Sequence, residues 1–133
     1  MLLPITLTTA AACGLLNIWL SARIGKVRIA EKIYVGDGGS ESVLRRMRAQ
    51  ANFIEYAPIV LMLIAALELG VGSKSWLWVA SALFVVARVC HMFGMDGGKL
   101  VVGRRIGIMV TLVVTLFLSV MAAWLAKAGT LPF

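Results

Sequence analysis

Two stretches limit what this chain can fold into more than any other feature. Ile5 to Ala22 and Ile106 to Ala126 carry no charged residue, and the second is twenty-one residues long. At a rise of about 1.5 Å per residue, each covers most or all of a hydrocarbon core about 30 Å thick. Backbone polar groups in such a core must be satisfied within their own segment, so both stretches are predicted to be spanning helices. The chain as a whole agrees. Of its 133 residues 61% are hydrophobic, and mean hydropathy is +0.95. Soluble domains sit near roughly 45–50% apolar. The first run lacks the positive lead of a signal peptide and is read as a retained helix. Its strongly polar residue, Asn17, is expected to hydrogen-bond a neighbouring helix.

Breakers divide the rest. Gly36-Asp37-Gly38-Gly39-Ser40 marks a turn, and Ser40 with its neighbours suits a helix N-cap. That glycine-rich piece lacks the Gly-Lys-Ser/Thr ending of a phosphate loop. Gly70 to Ser73 forms a second turn, and Asp96-Gly97-Gly98 a third. Pro58 falls inside the second apolar segment, where it removes one backbone donor and predicts a kink. Trp76 and Trp78 open the third segment, as aromatics do at a membrane interface. Lys127, Gly129 and Pro132 end the fourth. The expectation is one domain over residues 1–133. It is an all-α, up-and-down bundle of four transmembrane helices, at about 4–24, 42–69, 75–95 and 102–127.

The net charge is +7, but the cations sit at the ends of apolar runs, which argues for topology and an anionic ligand rather than nucleic acid. The first and third connections with their flanks hold eleven of the thirteen Lys and Arg. Those connections are expected in the cytoplasm, with both termini on the other side. Lys26, Arg28, Lys32, Arg46 and Lys99 are read as topology and headgroup contacts. Cys13 and Cys90 lie in apolar runs and are read as packing; two thiols make neither a disulfide framework nor a metal cluster. His91 has no second ligand at metal spacing, so no metal is expected.

The polar residues inside the apolar segments carry the functional argument. At 100° per residue, Arg45, Arg48, Asn52, Glu55 and Tyr56 share one face of the second helix. Polar groups at membrane depth are costly and usually face a protein interior or a ligand. On the third helix Arg88, His91 and Met95 are spaced i, i+3, i+7 and also share a face. Glu55 and Arg88 lie at similar depth, so they are expected to pair or to share a ligand. A buried ion pair that only fixes helix packing is the competing reading. Arg23, Arg45, Arg48, Arg104 and Arg105 lie at one membrane level. Such a mouth suits an anion with more than one carboxylate, which Arg binds bidentately.

Arg48-Ala49-Gln50-Ala51-Asn52-Phe53-Ile54-Glu55-Tyr56-Ala57-Pro58 has the form Arg-x-x-x-Asn-x-x-Glu-x-x-Pro. A second stretch, Ala87-Arg88-Val89-Cys90-His91, is followed by Gly94, Arg104 and Gly107. In these motifs, and over essentially its whole length, the chain resembles the membrane-associated proteins in eicosanoid and glutathione metabolism. The resemblance implies a homotrimer that holds glutathione as co-substrate between subunits near the cytosolic face. By position it assigns Arg23, Arg48, Gln50, Asn52, Glu55 and Tyr56 to that ligand, joined by Arg88 and His91 from the third helix. Arg104, or its neighbour Arg105, takes the role of stabilising the thiolate. The implied chemistry is conjugation of a lipophilic electrophile, or reduction of a lipid hydroperoxide, in contact with membrane lipids. A non-catalytic lipid- or glutathione-binding protein of the same fold is the alternative. The chain departs from eukaryotic members at His91 and Met95, where they carry tyrosines, and at Ala51 and Ile24, where some carry arginines. Eicosanoid specificities are therefore not carried over. Spare loops and the lack of eukaryotic targeting signals predict a bacterial inner membrane.

Overall fold

In the computed structural model, residues 2–97 and 101–130 are described; Lys99 and Pro132 lie outside them. The described residues form four helices: α1 (Pro4–Glu31), α2 (Glu41–Val71), α3 (Ser75–Met95) and α4 (Val101–Ala128). All four are long and apolar enough to cross a membrane. The protein is an all-α membrane protein, an up-and-down four-helix bundle.

The helix ends follow local chemistry. Pro4 opens α1, where its missing N–H costs nothing and its fixed φ suits the first turn. At the other end Lys32 takes a left-handed conformation with φ 54°, and the Ile33 N–H returns to the Arg28 carbonyl at 2.9 Å. So α1 runs to Glu31, whereas an end near residue 24 is predicted from sequence. The cations from Arg23 onward mark where the chain leaves the apolar layer. They are good helix formers, and nothing stops the helix before Lys32. Ser40 caps α2, its hydroxyl accepting the Val43 N–H at 3.3 Å. α2 continues as helix through Pro58 and stops at Gly72, with φ 78°.

α2 and α3 form the centre. α1 lies against both, α4 lies against both, and α1 and α4 do not touch among the described residues. Half of the α3 span is buried, against less than a third of each other span. The core between the helices is built from Leu20, Phe53, Ile64, Leu77, Phe84 and Leu118. Many large apolar side chains point outward instead, among them Leu15, Ile18, Met62, Val113 and Leu116. That is the expected distribution where the surrounding medium is hydrocarbon. Antiparallel packing brings the α1–α2 and α3–α4 connections, with most of the basic residues, to one end.

The opposite end is held by Glu68. This buried carboxylate accepts the Ile5 and Thr6 N–H groups at 3.0 and 2.8 Å, the Thr6 hydroxyl at 2.7 Å and the Ser73 hydroxyl at 2.7 Å. α1 has no side-chain cap of its own at Leu3. Glu68 supplies one from α2, an anion at the positive end of a helix dipole. One turn along α1, Thr9 is hydrogen-bonded to Ser81 of α3, so polar ties link three helices there.

A candidate binding cleft at the basic end of the bundle

At the basic end α2, α3 and α4 leave a cleft of 460 Å³ between them. α2 contributes Arg48, Ala51, Asn52 and Glu55; α3 contributes His91 and Met95; α4 contributes Arg104 and Ile108. Within each helix the lining residues recur three or four positions apart, with Ala51 and Asn52 side by side, so ordinary helical periodicity aims them at one space. Arg48, Glu55 and Arg104 are exposed, Asn52 is half-buried and His91 is buried. The cleft thus has a charged rim and a less charged floor.

Its shape depends on how closely α3 and α4 approach. A Cβ at Gly94 would sit 2.0 Å from the Arg104 backbone nitrogen. One at Gly107 would sit 2.5 Å from the Ala87 carbonyl oxygen and 2.7 Å from the His91 nitrogen. Only glycine fits at these crossings, the small-residue contact that membrane helices use to bring backbones together. The contact carries Arg104 beside His91, and His91 Nδ1 lies 3.2 Å from the Arg104 carbonyl oxygen.

Arg88 lies behind the cleft, wholly buried. Its Nη2 donates to Asn52 Oδ1 at 2.7 Å and its Nη1 to Thr111 Oγ1 at 3.3 Å. The guanidinium carbon stands 5.9 Å from the centre of the Tyr56 ring, within cation–π range. The ion pairs among the described residues are Arg23–Asp96 and Arg45–Glu41, so the expected Glu55–Arg88 pair does not form. Glu55 is turned to the cleft, and the amide of Asn52 takes its place beside the arginine. Thr111 then gives Arg88 a second acceptor, while its own hydroxyl donates to the Gly107 carbonyl at 2.7 Å. A neutral pair of acceptors and an aromatic face thus surround the charge at this depth, while its Nε makes no hydrogen bond among the described residues.

The remaining residues singled out from sequence go elsewhere. Gln50 faces α1, donating to Ser21 Oγ at 2.7 Å and to Asn17 Oδ1 at 3.3 Å. Asn17 therefore does bond a neighbouring helix. Arg23 bonds Asp96 at the end of α3 and lies 4.9 Å from the centre of the Trp19 ring. It ties α1 to α3 and does not line the cleft. Tyr56 lies under Arg88, half-buried. Arg105 is exposed and is not among the residues that line the cleft with Arg104. Asp96 reads from sequence only as part of a turn, and Thr111 and Glu68 are missed by sequence reasoning. A lone acid near the end of an apolar helix, opposite a helix start with no capping residue, was the available signal for Glu68.

A family model matches residues 6–124, which is most of the chain and all four helices, and its description is MAPEG family. The chain belongs to the MAPEG family. Curated proteins carry the likeness further. The inner membrane protein YecN of Escherichia coli K12 is 25% identical over 116 residues, covering 86% of this chain and 87% of YecN. YecN of Escherichia coli O6:H1 matches to the same extent. Arg48, Ala51, Asn52 and Glu55, which line the cleft from α2, fall within the matched residues.

Proposed function

We propose that this MAPEG protein is a glutathione-dependent transferase or peroxidase of a bacterial inner membrane, acting on lipophilic electrophiles or lipid hydroperoxides. The observation that carries the reading is the cleft. Arg48 and Arg104, from two helices, flank Asn52 and Glu55 in a space of 460 Å³. That volume lies within the range of roughly 300–1,000 Å³ usual for small-molecule sites. Glutathione carries two carboxylates, one ammonium and one thiol. Guanidiniums suit the carboxylates, and Glu55 suits the ammonium. A cation beside the thiol favours its ionised form, which is the nucleophile. Arg104 is assigned that role in preference to Arg105, because Arg104 lines the cleft.

In conjugation, sulfur forms a bond to the electrophilic carbon and the leaving group departs with its electron pair. In peroxide reduction, two glutathiones are oxidised to the disulfide while the hydroperoxide becomes an alcohol and water. The name of YecN supports an inner membrane location. The positive-inside distribution supports cytosolic connections and termini on the far side. Family membership supports a homotrimer, in which a neighbouring subunit would close the open rim.

The test is conjugation of glutathione to a generic aryl halide by the purified protein. Arg104→Ala is expected to lower kcat by about a hundredfold while binding is retained, as for loss of one transition-state contact. Arg48→Ala is expected to raise KM. Saturable glutathione binding with no turnover on any electrophile would support a binding protein of the same fold instead. No binding would remove both.

A further inference from the structure

His91 is only 5% exposed, yet one of its ring nitrogens has no partner among the described residues. Nδ1 faces the Arg104 carbonyl at 3.2 Å. A carbonyl only accepts, so Nδ1 carries the hydrogen. In the neutral ring this leaves a lone pair on Nε2. Nε2 is buried and makes no hydrogen bond. A buried polar atom of this kind needs a partner, and the residue lines the cleft beside Met95 and Arg104. The cleft that His91 lines is the space from which a ligand would reach it.

We infer that His91 is the base that takes the proton from the glutathione thiol, an inference that rests on the function proposed above. The S–H bond breaks with its electron pair left on sulfur, and the proton joins the lone pair of Nε2. The thiolate then bonds the carbon of an aryl halide, and halide leaves with the carbon–halogen pair. The imidazolium returns its proton to water at the open rim. Arg104 serves this step twice: its guanidinium faces the thiolate, and its backbone carbonyl fixes the tautomer of His91. The charged groups around the ring are Arg88 one turn back on α3, Arg48 and Glu55 from α2, and Arg104 from α4; α1 contributes none to the cleft. Glu55 is the competing base, but it is exposed, and a carboxylate is a far weaker base toward a thiol than an imidazole. Met95, one turn on, offers a thioether that holds no proton.

The decisive measurement counts protons on the parent protein. Glutathione is added at a pH where a free imidazole is neutral. The ultraviolet thiolate absorption and the protons released to an indicator are read together. With His91 as base, the thiolate band grows while far less than one proton per thiolate reaches solvent. His91→Gln is then expected still to bind glutathione saturably, to lose the thiolate band and to lower kcat by about a hundredfold. His91→Ala is expected to regain rate on addition of imidazole, which a packing role would not give. One proton released per thiolate in the parent overturns the inference and leaves the transferase reading intact. So does a His91→Gln protein that keeps both band and rate. Failure of the parent to bind glutathione removes the transferase reading and this inference with it.

Discussion

At Arg88 a full positive charge lies in the middle of an apolar bundle, and its partners set its cost. Thr111→Val removes one acceptor and keeps the shape. It is expected to destabilise the protein by about 1–3 kcal/mol, read as thermal unfolding in detergent. Glu55→Gln, at an exposed position with no part in holding Arg88, is expected to change stability by less than about 0.5 kcal/mol. Equal losses from the two would restore the Glu55–Arg88 pair. Glu68→Leu strands the donors of Ile5 and Thr6 at the start of α1 and is expected to cost about 1–3 kcal/mol. The polar stripe itself was legible, because helical spacing alone puts Arg48, Asn52 and Glu55 on one face. The partner of Arg88 was not. Asn52 and Glu55 are one turn apart, and which of them meets Arg88 depends on helix rotation, which hydropathy does not carry. The direction of Gln50 was hidden for the same reason: two residues from Arg48, it lies on the side of α2 that meets α1.

Among the elements, the α3–α4 crossing matters most, since it sets the distance between His91 and Arg104. A methyl group at Gly107 would meet backbone atoms of Ala87 and His91, and backbone cannot swing aside. Gly107→Ala is expected to cost about 1–3 kcal/mol through overpacking and to lower conjugation by moving Arg104 away from His91. Gly25→Ala is the control. A Cβ there meets nothing within 4 Å, and no loss of stability is expected. Equal effects at the two positions would argue against a close crossing. The helices were legible as elements because their apolar runs are long and their breakers explicit. The last turns of α1 were not, since Lys and Arg end a membrane span without ending a helix. The close crossing was hidden because Gly94, Gly103 and Gly107 look alike in sequence whether they loosen a helix or let a neighbour in.

In the whole molecule, two ends of one bundle do different work. One end is tied by Glu68 and by the Thr9–Ser81 contact into a polar clasp. The other gathers the basic connections and opens between α2, α3 and α4. The apolar faces between them are turned to hydrocarbon or to further subunits. This polarity follows from antiparallel packing of four spans with unequal connections, which is why the basic end could be read from charge placement alone. Glutathione titrated calorimetrically into the purified protein tests the account most directly. The expected result is saturable binding, weakened at least about tenfold by Arg48→Ala, or about 1.4 kcal/mol, and weakened also by Glu55→Gln. No saturable binding, or an affinity that neither substitution changes, would contradict it.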